Sequence, residues 1–370
     1  MKAVILVGGE GTRLRPLTVN VPKPMLPVIN RPFLELVFSY LKSQGISDVI
    51  LSMGYRSDVI ERHFGDGTGY GVNLKFVVES SPLGTAGGVK NVEQFIDGPF
   101  FVFNGDILTD LDLVAMLEAH RERQAKATIA LTPVEDPTAY GLVETDGDGR
   151  VRRFLEKPKP EEITTNLINA GTYILEPEVL DLIPSGSYHM FERGVFPELL
   201  RRGDPLFGYA SDCYWIDIGT PVKYRAVHRD ILEGRVKRWN GAVTLHSGVR
   251  VGKDVSIAPT AKVSGSVVLG DRVCIEAGAC VEGPTTIGTG STIGANSTVS
   301  GAILWNNVRI GRDVKLDDCI VGNEAIVEDG SSIAGGSIVS DQCVIGTENR
   351  LDRAIRVWPG CVLGARAISF

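Results

Sequence analysis

Gly8 to Thr18 read GGEGTRLRPLT, directly behind the apolar run Ala3–Val7, and Lys23-Pro24 follows a few positions later. Glycines let a backbone approach an anion closely and turn its N–H groups toward it. Arginines offer planar forks to phosphate oxygens, and a lysine offers a point charge. Leu6, Gly8, Gly9, Gly11, Thr12, Arg13 and Lys23 thus form a candidate polyphosphate cradle at a strand end. The spacing is neither the G-x-G-x-x-G of dinucleotide folds nor the G-x-x-x-x-G-K-[ST] of P-loops. Two carboxylates follow apolar runs, Asp106 in FNGDIL and Asp217 in YWIDIGTP. Carboxylates so placed suit a hard divalent cation that also bridges phosphate oxygens. The chemistry expected is transfer at phosphorus, driven by positioning and charge neutralisation.

The elements that must position these residues alternate in the first half. Strand-like runs at Ala3–Val7, Asp48–Leu51, Leu74–Val78 and Phe100–Phe103 are interleaved with helical spacing at Phe33–Ser43, Ser57–Phe64, Gly88–Phe95 and Leu111–Arg123. Ser57 is the expected N-cap of its helix. Such alternation predicts a mostly parallel sheet whose ligands bind at the carboxyl ends of the strands. After Ala127–Thr132 the pattern becomes mixed, with a hairpin expected around Asp146–Gly149. Near Trp239 the period changes to six. Apolar residues recur from Val251 to Val299, slip near Trp305, resume at Ile310 and Leu316, slip again, and run from Val321 to Leu363. A sixfold period of this length predicts a parallel β-helix, the slips marking loops or tightened corners. Two domains are expected, residues 1–238 and 239–370.

The 370 residues carry a net charge of −7. That argues against a nucleic-acid or anionic-membrane partner. No run reaches membrane length, and the six cysteines form no C-x-x-C pair, so a cytoplasmic chain with reduced thiols is expected. Cys343 and Cys361, eighteen residues apart, are read as small core residues on adjacent coils.

The GGEGTRLRPLT stretch with its following PKP resembles the signature of the sugar-1-phosphate nucleotidyltransferases. The resemblance implies a Rossmann-like mixed-sheet α/β catalytic domain followed by a left-handed β-helix of hexapeptide repeats. It implies Mg²⁺ on Asp106 and Asp217, and catalytic roles for Arg13, Lys23 and Asp106. It places the nucleobase against PLGTAGG, engaging Glu79, Pro82, Gly84, Thr85 and Ala86, with Asn104 and Gly105 nearby. It assigns the sugar phosphate to Gly141, Glu156, Lys157, Asn169 and Gly171. Gly87, where relatives carry Gln, His or Asp, resembles the guanylyl-transferring members, which implies GTP and mannose 1-phosphate as substrates. Glucose 1-phosphate with UTP, dTTP or ATP remains an alternative, as does a non-catalytic regulatory subunit. An acyltransferase activity of the β-helix would need a histidine base in the coils, and none of the five histidines lies beyond its first strand. Self-association through either domain is expected.

Overall fold

The computed structural model describes residues 1–54, 56–237 and 248–369. It forms two compact units, one of Met1–Gly9 with Leu34–Asp217, the other of Glu10–Phe33 with Ile218–Phe370. The boundary expected at 238/239 lies outside the described residues.

The first unit is built on a nine-stranded mixed sheet. Lys2–Val7 lies between Asp48–Met53 and Phe100–Asn104, parallel to both, and Asn73–Val78 extends the parallel part. Ala3, Val4 and Ile5 are fully buried, as a strand covered on both faces requires. Leu167–Leu175 then pairs antiparallel with Phe100–Asn104, Ala127–Pro133 and Gly141–Thr145. The expected hairpin is present, Gly141–Thr145 against Val151–Glu156.

Six α-helices are described: α1 Phe33–Ser43, α2 Ser57–Phe64, α3 Gly84–Lys90, α4 Leu113–Glu122, α5 Phe196–Arg202 and α6 Pro221–Leu232. Three expectations need correction. Ser57 does not cap α2; Arg56, in the left-handed region at φ 53°, occupies the N-cap, and Ser57 is the first helical residue. α4 starts at Leu113 rather than Leu111, because Asp112 caps it by accepting from Ala115 N. The helix expected at Gly88–Phe95 instead begins at Gly84 and ends at Lys90, a separate 3₁₀ turn following at Glu93–Phe95. Its glycines are poor helix formers, but tertiary partners take its first N–H groups and override that propensity.

The second unit contains three all-parallel sheets of seven, seven and six strands, the faces of a left-handed β-helix. Coil-to-coil register is eighteen residues at the ends, as in Val251↔Leu269 and Val339↔Val357. In the middle it is seventeen, as in Ile287↔Leu304 and Leu304↔Val321. The slips are therefore corners shortened by one residue, between Val299 and Leu304 and between Leu316 and Val321. Leu304, not Trp305, fills the core column. Trp305 is displaced by one position and faces α6, where its Nε1 donates to Tyr224 Oη at 3.1 Å. Cys343 is fully buried and Cys361 packs at the edge of the same core; all six cysteines are free thiols.

α6 also carries His228, whose Nε2 donates to Pro27 O at 3.1 Å while Nδ1 accepts from Thr286 Oγ1 at 3.0 Å. Burial pushes its pKa down to about 3. The imidazole thus stays neutral in the fold, whereas the unfolded chain protonates it below about 6.5. Its contribution to stability is intact above pH 6.5 and declines as pH falls toward 3. Between pH 7.5 and 5 the protein is expected to lose about 2 kcal/mol more than His228→Gln. Urea unfolding of both proteins at the two pH values measures the difference; equal losses would refute it.

Candidate active site

In the first unit the carboxyl ends of three parallel strands carry most of the expected residues. Leu6 pairs with Asn104 across the Lys2–Val7 and Phe100–Asn104 strands. Gly105 N donates to Leu6 O at 2.9 Å, and a Cβ at Gly105 would lie 2.5 Å from that oxygen. Only glycine lets the turn bearing Asp106 close so tightly against the central strand. The short strand Ile107–Thr109 pairs antiparallel with Trp215–Asp217, placing Asp217 opposite Ile107. Asp106 immediately precedes the ribbon strand, and Asp217 is opposite its first residue, so the two lie one position apart in register. Asp217 is buried and accepts from Tyr140 Oη at 2.9 Å. Tyr140 packs edge-on against Trp215, whose Nε1 donates to Ala170 O. No group of three or more His, Cys, Asp or Glu able to hold a metal occurs among the described residues. Two hard carboxylates are nonetheless the donor type that a hard divalent cation takes.

Glu79 clamps the start of the PLGTAGG segment. Its Oε2 accepts from Leu83 N at 3.0 Å, and its Oε1 lies 3.1 Å from Ser52 Oγ. Within the PLGTAGG segment, Gly84, Thr85 and Ala86 form the first turn of α3. Ala86 N and Gly87 N both donate to His189 O, at 3.0 and 3.1 Å, so these two donors are already engaged. Pro82 precedes the turn and is exposed.

The residues expected at the sugar phosphate lie along the hairpin and a bulge. Gly141 is paired with Glu156, and a Cβ there would lie 3.1 Å from Glu156 Oε2. Lys157, at φ 53° and exposed, donates its N–H to Tyr140 O. The strand Leu167–Leu175 is irregular between Asn169 and Tyr173. There Asn169 Oδ1 accepts from Gly171 N at 2.9 Å, and Gly171 lies against Asn104. Asn104 Oδ1 is buried without a hydrogen-bond partner.

Sequence reading missed a buried relay linking these groups. Thr85 Oγ1 accepts from Phe191 N and donates to Glu192 Oε2 at 3.0 Å. Asn169 Nδ2 donates to Tyr173 Oη, whose own proton is directed to Glu192. Donors and acceptors alternate without conflict, from the start of α3 to the bulge at Asn169. Burial pushes the Glu192 carboxyl up, opposed by these hydrogen bonds, and burial beside Glu192 pushes Tyr173 up. The local sequence, FERGVF at 191–196, puts Glu192 beside Arg193 and carries no signal that it is buried.

Gly11, Thr12, Arg13 and Lys23 belong to the second unit. Gly11 adopts φ 66°, and a Cβ there would meet Thr18 and Lys23 at 3.1 and 3.3 Å. Thr18 Oγ1 closes the loop by donating to Gly11 O at 2.8 Å. Thr12 and Arg13 are exposed on a 3₁₀ turn anchored by buried Leu14. Lys23 opens the next 3₁₀ turn and is half-buried. Gly8 and Gly9 are exposed in the first unit.

Residues 2–234 match a family model described as Nucleotidyl transferase. The chain belongs to that family. Residues 246–351 of this nucleotidyl transferase match a second model, the EIF2B subunit epsilon LbH domain. A mannose-1-phosphate guanylyltransferase of Mycobacterium tuberculosis is 41% identical over 295 residues, 75% of this chain and 81% of that protein. A UTP–glucose-1-phosphate uridylyltransferase of Synechocystis is 34% identical over 350 residues, 90% of each chain. Among solved structures, HddC from Yersinia pseudotuberculosis complexed with GMP-PN superposes with a TM-score of 0.54 at 32% identity, covering 61% of this chain and 97% of HddC. Nucleotidyl transferases of this kind use a divalent metal. No helix among the described residues is long and apolar enough to cross a membrane.

Proposed function

We propose that this nucleotidyl transferase moves GMP from GTP to mannose 1-phosphate, releasing pyrophosphate. The observation that carries the reaction class is the ribbon pairing that leaves Asp106 and Asp217 one position apart in register. The substrates are supported by the guanylyltransferase relative and by glycine at position 87.

The phosphate of the sugar is already an anionic nucleophile, so no base is required at neutral pH. Arg13 and Lys23 neutralise the polyphosphate, and the glycines at 8, 9 and 11 present backbone to it. Lys157 neutralises the sugar phosphate, while Glu156 and Asn169 bond its hydroxyls. The Glu192–Tyr173 relay fixes the amide of Asn169, and the unpartnered Asn104 Oδ1 is an acceptor that a bound hydroxyl or amine would satisfy. Mg²⁺ is the proposed metal, held by Asp106 and Asp217, where it would supply positive charge beside the α-phosphate. Residues 1–238 are proposed as the catalytic part and 239–370 as the β-helix, in a cytoplasmic homo-oligomer.

A uridylyl transfer to glucose 1-phosphate is the second reading, favoured by the Synechocystis relative that matches through the β-helix. Pyrophosphate release in Mg²⁺, across GTP, UTP, dTTP, ATP and CTP against mannose and glucose 1-phosphates, decides between them. The GTP–mannose 1-phosphate pair is expected to dominate. Dominance of another pair would overturn the substrates, and silence across the grid would overturn the catalytic reading.

A further inference from the structure

The loop that carries Arg13, Arg15 and Lys23 is packed along one face of the β-helix. Arg356 Nη1 donates to Arg15 O at 2.9 Å, and Ser340 Oγ donates to Pro16 O at 3.3 Å. Asn20 bonds the buried carboxylate of Asp341. Asn30 Nδ2 donates to Ile287 O at 2.8 Å. Pro27 O accepts from both Tyr224 and His228, and His228 in turn rests on Thr286. These β-helix partners belong to one sheet or to the residues that immediately follow its strands: Thr285–Ile287, Ile338–Val339 and Arg356–Val357. Residues 15 to 30 therefore run from a late coil back to an early one. Four strand spacings separate the two ends, roughly 19 Å at about 4.8 Å each.

The segment is seated by apolar burial as well as by these bonds. Leu14, Leu17, Leu26, Val28 and Ile29 are all buried. Its cations, Arg13 exposed and Arg15 and Lys23 half-buried, have an opposite need. Glu10 pairs with Arg15 at 3.2 Å, but three like charges in one loop still repel, and an unheld loop must be ordered each time an anion binds. Fixing the carbonyls of Arg15 and Pro16 sets the backbone just past Arg13 before any ligand arrives.

We infer that this β-helix face is the template that shapes the arginine loop, and that Arg356 and Ser340 are positioning residues for polyphosphate. The inference rests on the proposed role of the loop, and its test needs no turnover. The probe is inorganic pyrophosphate with Mg²⁺, titrated calorimetrically into the full chain, with mannose 1-phosphate as the control. Arg356→Ala and Ser340→Ala are each expected to weaken pyrophosphate binding about 3- to 10-fold, the value of one lost hydrogen bond. Mannose 1-phosphate binding stays unchanged, and Arg356→Lys, which keeps a donor, restores pyrophosphate affinity to within about twofold. Arg356 is exposed, so its variants keep the fold. Unchanged pyrophosphate affinity in both alanine variants would overturn the inference, as would an equal loss toward the sugar phosphate. Failure of the proposed function appears separately, as a wild-type protein silent in the turnover grid.

Discussion

Asp106→Asn is expected to lower kcat by about 10³-fold or more while leaving the thermal midpoint within a few degrees of wild type. The substitution preserves shape and removes one charge. Asp106 is half-buried at the end of a strand whose turn is fixed by Gly105 against Leu6, so the amide would sit where the carboxylate did. The loss would therefore report the charge itself. Asp217→Asn is the matched test. Its side chain can still accept from Tyr140 Oη, so packing against Tyr140 and Trp215 is retained. If both carboxylates hold one metal, the double variant should be little worse than the worse single variant, because groups acting as a unit are not additive. Lys23→Ala is expected to lose turnover as well, by weaker neutralisation of the polyphosphate rather than by loss of metal. Activity within tenfold of wild type in a folded Asp106→Asn would remove that residue from the catalytic role.

The parts of this molecule legible in sequence were those written in a repeated or punctuated form. A six-residue apolar period can be read without any tertiary information, and the buried column from Leu269 to Val357 follows it. The two slips were visible as breaks but not as geometry. Only the pairing of Ile287 with Leu304 shows that a corner lost one residue and turned Trp305 outward toward Tyr224. Local rules failed where distant partners decided the outcome. No propensity places a helix start at Gly84; Glu79 and the carbonyl of His189 supply what its own sequence lacks. Glu192 was invisible for the same reason. Its partners Thr85 and Tyr173 lie 107 and 19 positions away, and only the fold brings them to one carboxylate. The division of the signature between two units was equally hidden, since Gly9 and Glu10 are consecutive in the chain.

Glycine at position 87 supports guanine in the proposal, and the structure supplies a physical reason why exchanging it should not simply exchange the base. Gly87 is buried, and a Cβ there would lie 2.7 Å from Ser187 O and 3.0 Å from Leu83 Cβ. The contact is with backbone, which cannot swing aside as a flexible side chain would. Segment 187–191 is clamped onto α3 through Ala86 N and Gly87 N to His189 O, His189 N to Leu83 O, and Phe191 N to Thr85 Oγ1. Gly87→Gln must lift that segment and loosen the clamp, and with it the Thr85–Glu192–Tyr173–Asn169 relay. The expected cost is about 3 kcal/mol of stability, from overpacking together with lost buried hydrogen bonds. The variant should lose GTP turnover with mannose 1-phosphate and gain none with UTP or dTTP. Its Km for the sugar phosphate should also rise, because the relay ends on Asn169. Urea unfolding and the pyrophosphate-release grid read both effects. A stable Gly87→Gln protein that turned over UTP would show that the 187–191 segment yields easily, and that base choice resides in this one side chain.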